Sequence, residues 1–377
     1  MARSSELSRD LDRYLGAAAS IVLAPLLNRH RALPDDPKTI GILQPTAIGD
    51  TLIASGCVVA IQNRFPNAKI TIYHGPSNAA GVAMLPGNFD RVQTSFTNPL
   101  KAVPTLRRAK HDLIIDLTPW PNMTALCARL SAPVTIGFSP DVNPGRARVF
   151  DIAVPHKGTR HELENMAAMA THFGAETCPM TIKRTDFTAP DSVDSERLVL
   201  CHLSAGGSRA QDKSWPVEYW VQLVKTLIQH GYQVGFTGVK SDEDRVLEVM
   251  ERAGVSAPDA VSLCGAVKLD ALAELLANAP LLITVDTGVL HLAAAVDGRS
   301  IGLHGPTLPT RWGSRSENAI GLLSPHENAG YISYGFETAP GDPDQVMAAL
   351  LPETVIDAAL SALQDVQSAP APQSTAV

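Results

Sequence analysis

The sequence is poor in cysteine, with five in 377 residues, and none of them forms a C-x-x-C pair or a Cys/His cluster with metal-ligand spacing. Scattered single cysteines are typical of a reducing compartment, where the thiol behaves as a small buried hydrophobe. The sequence therefore predicts a cytoplasmic protein with no metal site built from cysteine. The five residues are Cys57, Cys127, Cys178, Cys201 and Cys264.

The motifs of several enzyme classes are also missing. No G-x-G-x-x-G follows a predicted strand, which disfavours a nicotinamide or flavin dehydrogenase. No G-x-x-x-x-G-K-[ST] and no G-x-S-x-G is present, which disfavours P-loop enzymes and serine hydrolases. D-x-D segments begin at Asp242 and Asp342, but their polar context is typical of solvated helix starts rather than of metal-dependent sugar transfer.

Positive charge is not in excess, because the formal net charge is -7 at pH 7. A nucleic-acid partner usually requires a basic stripe, so we expect none. Hydrophobic residues make up 45% and charged residues 18%, which is the composition of a globular protein. A chain of 377 residues exceeds one ordinary core and predicts two domains.

The apolar run from Leu15 to Leu27 is too short to span a membrane, since a spanning helix needs about 20 apolar residues. Asp10 and Asp12 stand where a signal peptide has a basic region. Residues 1–38 are therefore predicted to form an amphipathic arm that docks on the protein or touches a membrane surface. The alternative is an ordinary N-terminal helix packed on its own domain.

From Thr39 onward, apolar runs typical of buried strands alternate with segments of helical periodicity, and the alternation restarts after a polar stretch. This pattern predicts two doubly wound α/β domains, each with a parallel sheet. Ligands of such sheets bind at the carboxyl ends of the strands, and two facing sheets would form a cleft. The predicted segments are 39–187 and 188–364 for the two domains and 365–377 for a disordered tail.

The loop after the first predicted strand carries Thr46, Gly49 and Asp50, and Thr46 and Gly49 are candidates for contact with the acceptor or a phosphate. Gly49 is suited to a tight turn from strand to helix. A single helix is predicted over 50–65, so Asp50 stands at its start. Its carboxylate is then either a plain helix cap or a general base at the mouth of the sheet.

The loop after the first strand of the second domain, 204–216, combines glycines with cationic side chains. Small residues let backbone N–H groups approach an anion, and Ser208, Arg209 and Lys213 are suited to phosphate oxygens. The alternative is a surface loop with ordinary basic residues.

A third loop joins a predicted strand to a helix and contains Asp286, Thr287, Gly288 and His291. A helix N-terminus attracts phosphate, and Gly288 would allow a close approach. Asp286 would face a ribose hydroxyl or a loop amide. His291 shares a helix face with Thr287, although a lone histidine is more often structural.

Further basic residues are candidates for anion binding. Arg311, in a proline-stiffened loop, is suited to a phosphate or an acceptor, or it belongs to a structural turn. Arg146, Arg148, Lys157 and Arg160 either face an anionic acceptor or are solvated charges.

At these loops the sequence resembles the family 9 glycosyltransferases, the ADP-heptose:lipopolysaccharide heptosyltransferases. The resemblance is collinear from about Thr39 to Leu363. It is carried by AIGDTLIASGCVVAIQNRFPNAKI, DLIIDLTPWPNMTALCARLSAPVTIGF, SWPVEYWVQLVKTLIQHGYQVGFTG and VDTGVLHLAAAVDGRSIGLHGPTLPTR. The sequence departs from the family's pattern in two places, which bear on the identity of the sugar and of the acceptor. The stretch after Gly305-Pro306-Thr307 has no cysteine, and the loop 204–216 is poor in threonine.

The resemblance implies a GT-B architecture of two Rossmann-like domains around a central cleft, with metal-independent, inverting transfer and no cofactor. The co-substrate would be ADP-heptose or another nucleotide diphosphate sugar, and the acceptor a lipopolysaccharide-core, glycan or lipid-linked sugar. By position, Asp50 matches the family's catalytic base and Lys213 its phosphate-binding lysine. Asp286, Thr287, Gly288 and His291 match its nucleotide-sugar segment.

Two other functions fit the same scaffold, a non-catalytic nucleotide-sugar-binding module and a nucleotide-sugar epimerase. The presence of Asp50 and Lys213 together favours transfer over both. For a transferase of this kind we expect a cytoplasmic location, with the arm as a peripheral contact to the inner membrane.

Overall fold

The computed structural model describes Asp12, Gly16, residues 30–207 and residues 209–368. The chain divides into two compact units, Met1–Lys183 and Arg184–Val377. The boundary lies close to the polar segment that the sequence predicts as the start of the second domain.

A six-stranded sheet organises the first unit, and every strand pair in it is parallel. Its order is β3-β2-β1-β4-β5-β6. The central strands β1 and β4 are almost wholly buried, as their apolar sequences require. The strands are β1 (Thr39–Gln44), β2 (Lys69–His74), β3 (Asp90–Gln93), β4 (Leu113–Asp116), β5 (Val134–Pro140) and β6 (Ile152–His156).

The helices of the first unit follow the strands in alternation. The predicted helix over 50–65 is in fact two helices, which meet at Ala54. The stretch 140–158, which is rich in proline and glycine, contains β6. The helices are α1 (Ile48–Ile53), α2 (Ser55–Arg64), α3 (Ala79–Ala83), α4 (Pro99–Arg108), α5 (Asn122–Arg129) and α6 (Glu162–Ala170).

A second six-stranded sheet organises the second unit, again with every pair parallel. Its order is β12-β11-β10-β7-β8-β9. A core containing Trp215 and Trp220, both 0% exposed, packs beside the central strands. The strands are β7 (Leu198–His202), β8 (Gln233–Thr237), β9 (Ala260–Ser262), β10 (Leu281–Val285), β11 (Ser300–His304) and β12 (Ala319–Leu323).

The last helix of the second unit extends to Ser368, which includes the first four residues of the segment predicted as a disordered tail. Residues 369–377 lie outside the described part of the chain. The helices are α7 (Val217–Gln229), α8 (Glu243–Ala253), α9 (Leu269–Asn278), α10 (Gly288–Ala295), α11 (Pro309–Trp312), α12 (Pro343–Ala348) and α13 (Pro352–Ser368).

Both sheets have the same strand order. If β7 to β12 are renumbered from one to six, their order read from β9 is 3-2-1-4-5-6, which is also the order in the first sheet. In each sheet the connections reverse direction between the first and fourth strands, and doubly wound sheets bind ligands at that switch point. Ligand sites are therefore expected at the ends of β1 and β4 in one unit and of β7 and β10 in the other. The predicted pair of doubly wound α/β domains is confirmed.

The predicted N-terminal arm lies mostly outside the described residues, except for Asp12, Gly16 and residues 30–38. The carboxylate of Asp12 accepts hydrogen bonds from the backbone N–H groups of Asn122 (2.9 Å) and Met123 (2.7 Å) at the start of α5. The arm therefore contacts the first unit at this residue. None of the helices in the described residues is long and apolar enough to cross a membrane.

Candidate active site

Lys213 and Asp286 meet at the switch point of the second sheet. The Nζ atom of Lys213 lies 2.7 Å from Oδ2 of Asp286, and the two side chains are only 15% and 6% exposed. Lys213 ends a short 3-10 turn after β7, Gln211–Lys213, and Asp286 directly follows β10. Because β7 and β10 are parallel neighbours, their carboxyl ends bring these residues to one edge. This ammonium and carboxylate form the centre of the candidate site.

The ion pair controls the charge of Asp286. Burial alone would raise the pKa of this carboxyl group, but Lys213, His304 and His291 outweigh burial and hold the pKa below its usual value. Asp286 is therefore ionised at neutral pH. Lys213 is its partner in the structure, and the predicted contact with a ribose hydroxyl or a loop amide stays a prediction.

His304 is a site residue that the sequence analysis does not single out. It ends β11 and is fully buried, and because Val285 pairs with Leu303, His304 lies level with Asp286 on the neighbouring strand. Burial lowers the pKa of His304 to about 4, so its ring is neutral at physiological pH. Its Nδ1 atom lies 3.1 Å from the hydroxyl oxygen of Thr307. Only the strand register could have pointed to this residue.

The loop before Lys213 contains two residues with a left-handed backbone. Gly207 and Arg209 both have positive φ, +82° and +55°, so the backbone turns sharply here. Arg209 is half-buried, and its contact with a ligand stays a prediction. Ser208, the third residue predicted to bind phosphate in this loop, lies outside the described residues.

The N-terminus of α10 lies beside the ion pair. Thr287 is its N-cap in an extended conformation, and the helix begins at Gly288, so the predicted start is confirmed. Both residues are partly exposed. His291, one turn into the helix, is 5% exposed and close enough to Asp286 to lower the pKa of that carboxyl group. His291 therefore helps to keep Asp286 ionised.

Arg311 occupies a more interior position than a phosphate contact in a loop would require. It is 3% exposed within α11, and its guanidinium carbon lies 4.1 Å from the centre of the Trp312 ring. Stacking on an indole face stabilises a guanidinium group. The contact of Arg311 with a phosphate or an acceptor stays a prediction.

The switch point of the first sheet brings Asp50 to the edge of β1. The sequence places this residue at the helix start, and the structure puts it in the third position of α1, where its Oδ2 atom accepts the N–H of Ala47 at 3.0 Å. The side chain is half-buried. It therefore caps the helix and is also accessible in part, so the two interpretations do not exclude each other. Gly49 lies inside α1 rather than in a turn, and Thr46 is exposed in the loop.

The end of β4, beside β1, carries a buried ion pair. Nη2 of Arg146 lies 2.6 Å from Oδ2 of Asp116, and both side chains are 0% exposed. Arg146 is therefore neither an acceptor contact nor a solvated charge, and both interpretations from sequence are wrong for it. Arg148 and Lys157 are exposed and Arg160 is half-buried, so these three retain access to an anion.

Within the described residues, no three or more His, Cys, Asp or Glu side chains are grouped so that they could hold a metal ion. All five cysteines are buried free thiols.

The family model for glycosyltransferase family 9 (heptosyltransferase) matches residues 100–332, more than half of the chain. The chain is 25% identical over 310 residues to lipopolysaccharide heptosyltransferase 1 of Escherichia coli K12, with 76% of this chain and 94% of that protein covered. The chain therefore belongs to glycosyltransferase family 9 and is a glycosyltransferase.

Solved structures share the fold. The E. coli ADP-heptose lipopolysaccharide heptosyltransferase II has a TM-score of 0.66 at 18% identity, covering 88% of this chain and all of that one. E. coli heptosyltransferase WaaC with ADP-2-deoxy-2-fluoro heptose has a TM-score of 0.62 at 20% identity, covering 86% and 99%. At this level of identity the likeness supports the two-sheet α/β fold and no individual residue role.

Proposed function

We propose that this enzyme transfers a heptose from ADP-heptose to a sugar of a lipopolysaccharide-core type acceptor, with inversion at the anomeric carbon. The observation that carries the proposal is the Lys213–Asp286 pair at the switch point of the second sheet. The names of the relatives supply the sugar and the acceptor, since the matched E. coli protein is a lipopolysaccharide heptosyltransferase and a solved relative contains an ADP-heptose analogue.

The second unit would bind the donor. The Lys213 ammonium is held by a buried carboxylate, so its position is fixed before the donor arrives. The first turn of α10 presents N–H groups and the positive end of a helix dipole to the same edge. Arg209 would add a third positive group from the loop after β7. This arrangement is suited to a diphosphate.

The first unit would supply the base. In the proposed reaction an acceptor hydroxyl oxygen forms a bond to the anomeric carbon while the bond from that carbon to the diphosphate oxygen breaks. ADP leaves with the bonding electron pair, and the Asp50 carboxylate takes the hydroxyl proton. One direct displacement inverts the anomeric configuration. In this scheme the acceptor would reach the carboxylate of Asp50, which is a half-buried residue.

We propose that the departing diphosphate is stabilised by protein charge without a metal ion. Lys213 and the N–H groups at Thr287 and Gly288 would interact most strongly as negative charge grows on the leaving oxygen, which lowers the barrier. No cofactor takes part in this scheme.

We further propose that the enzyme works on the cytoplasmic face of the inner membrane, where a lipid-linked acceptor is accessible. Arg148, which precedes β6, and Lys157 and Arg160, which follow it, would face its anionic groups. The N-terminal arm would add a peripheral contact with the membrane.

A donor panel tests the proposal. The purified full chain is mixed with ADP-heptose, other ADP-sugars and UDP- or GDP-sugars, and thermal unfolding is followed. A ligand at 100 times its Kd stabilises the folded protein by about 2.7 kcal/mol, and at equal concentration the ligand that binds most tightly stabilises it most. We therefore expect ADP-heptose to raise the Tm most. Equal shifts for all nucleotides would reject the donor assignment.

Transfer itself is tested with a heptose-free lipopolysaccharide core as acceptor. We expect the mass of one heptose to be added, and NMR of the product to show the inverted anomer. Donor incubated without acceptor should keep its stereochemistry, whereas an epimerase would change it. A protein that binds the donor but yields neither product would be a binding module instead.

A further inference from the structure

The turn that carries Lys213 is tied to a distant segment through its neighbour Asp212. The Tyr331 hydroxyl donates a hydrogen bond to Oδ2 of Asp212 across 2.6 Å, between residues 119 positions apart in the chain. Asp212 is 9% exposed, so its carboxylate depends on protein partners. Asp212 and Lys213 belong to the same 3-10 turn, Gln211–Lys213, so a shift of one must move the other.

The segment that carries Tyr331 is itself anchored at the edge of the second sheet. The N–H of Gly330 donates to the carbonyl of Gly305 at 2.8 Å, and the N–H of Ile332 donates to the carbonyl of Pro306 at 2.7 Å. Ile332 also forms a parallel bridge with Thr307, whose hydroxyl oxygen lies 3.1 Å from His304. Tyr331 therefore projects from a backbone that is fixed on both sides.

Glycine is required at the start of this anchor. Gly330 has a φ of +82°, and a Cβ atom there would come within 2.3 Å of a methyl group of Leu308. The close approach of this segment to the loop after β11 thus depends on the missing side chain. The contact between Tyr331 and Asp212 follows from a specific packing of these loops.

These contacts form one closed network around the ion pair. It runs from Asp286 to Lys213, through the turn to Asp212, across to Tyr331, and back through residues 305–307 to His304 beside Asp286. Burial and the adjacent carboxylate both raise the pKa of the Tyr331 hydroxyl above its usual value, so it keeps its proton and donates.

We propose that Tyr331 is a positioning residue for Lys213, because its hydroxyl holds the Asp212 carboxylate and so fixes the turn that presents the ammonium to Asp286 and to the donor diphosphate. This inference rests on the proposed donor-binding role of Lys213. Without the hydroxyl, a nearly buried carboxylate loses a strong hydrogen bond, and the turn must move to bring it other partners. Lys213 would then leave its place beside Asp286.

The test is a double-mutant cycle read out as ADP affinity by isothermal titration calorimetry on the full chain. Tyr331→Phe should weaken ADP binding about tenfold, the size expected from a hydrogen bond to a charged group. Asp212→Asn keeps the shape of the side chain but removes the negative charge that the Tyr331 hydroxyl stabilises. In the Asp212→Asn background, Tyr331→Phe should therefore change the ADP Kd by less than about twofold.

Tyr219→Phe is the matched control. It removes the same hydroxyl from a tyrosine of the same unit, one whose ring packs edge-on against Trp215 at 5.5 Å. We expect it to leave the ADP Kd unchanged. If Tyr331→Phe does not fold, Asp212→Ala tests the same link from the other side and should also weaken ADP about tenfold.

The outcomes separate the inference from the function on which it rests. If Lys213→Ala binds ADP as the wild type does, the proposed donor role is wrong. If Lys213→Ala weakens binding but Tyr331→Phe binds ADP normally, only the positioning role is wrong. Equal effects of Tyr331→Phe in both backgrounds would mean that the phenol acts independently of Asp212, which also overturns the inference.

Discussion

Lys213 and Asp286 are separated by 73 positions in the chain and by 2.7 Å in the structure. The contact joins the ends of two parallel strands, β7 and β10, and it leaves both side chains largely buried. Removing one partner of a buried ion pair lowers the stability strongly, because the other charge stays desolvated. The pair therefore serves stability as well as the proposed binding of the donor.

The first prediction separates the role of the pair in stability from its role in donor binding. Lys213→Ala should lower the free energy of unfolding by about 3–5 kcal/mol, because Asp286 is left charged and buried. Adding Asp286→Asn should recover most of that stability, since no uncompensated charge remains. ADP affinity should stay low in both variants. Urea unfolding and calorimetry measure the two quantities. If the double variant binds ADP as the wild type does, Lys213 only compensates the charge of Asp286 and does not bind the donor.

The role of Asp50 gives the second prediction. Asp50→Asn should reduce kcat by roughly 10²–10⁴ while leaving the ADP Kd unchanged, because an amide cannot take up the acceptor proton. Its carbonyl oxygen can still accept the N–H of Ala47, so the helix cap is kept. Steady-state transfer assays and calorimetry measure both values. A kcat within about threefold of wild type would leave only the capping role.

The third prediction concerns pH. Burial lowers the pKa of His304, and that of His111 in the first unit, to about 4. As pH falls from about 6.5 to about 4, the unfolded chain takes up protons on these rings before the folded protein does, so the free energy of unfolding falls with pH. His111 changes the stability of the first unit, and His304 that of the second, by up to about 1.4 kcal/mol for each step of one in pH.

Urea unfolding at pH 7.5, 6 and 5 measures this slope. His304→Gln and His111→Gln should each make stability less dependent on pH, and the double variant should show the two changes added. The His111 ring lies 2.8 Å from the Tyr73 hydroxyl, and glutamine can keep a hydrogen bond there. An unchanged slope in the double variant would contradict the prediction.

The buried pair in the first unit gives the fourth prediction. Asp116→Ala should destabilise the protein by about 3–5 kcal/mol, because it leaves the guanidinium of Arg146 buried without its carboxylate. Asp90→Ala is the matched control, since Asp90 pairs with Lys69 at 2.9 Å while their side chains are 54% and 70% exposed. Its loss should cost less than about 1 kcal/mol. Similar losses in urea unfolding would refute the assignment.

The contact of the arm with the first unit gives the fifth prediction. Asp12→Ala should destabilise the protein by about 1 kcal/mol, because two N–H groups of α5 lose their cap. Asp12→Asn should cost less, since its oxygen can still accept. Deletion of residues 1–36, followed by co-sedimentation with vesicles of inner-membrane lipids, tests the proposed membrane contact. Full-length and shortened chains that sediment alike would remove that proposal.

The sequence by itself determined the fold class and the loops that carry the candidate site. Buried parallel strands such as β1 and β10 are short apolar runs, and each is followed by the loop that holds Asp50 or Asp286. Two edge strands, β6 and β12, are not predicted from the sequence. β6 contains Pro155, which is unusual inside a strand, and β12 is a short apolar segment, AIGLL, that is mostly exposed.

Only the tertiary structure decided which of these loops meet. Lys213 and Asp286 were each visible as candidates, but their ion pair depends on β7 and β10 being neighbours in the sheet. His304 and Tyr331 carry no local signal, because their importance comes from strand register and from loops that pack together. Local periodicity is fixed by the chain's own geometry, whereas contacts between distant residues depend on how the strands are ordered, and that order is a property of the whole sheet.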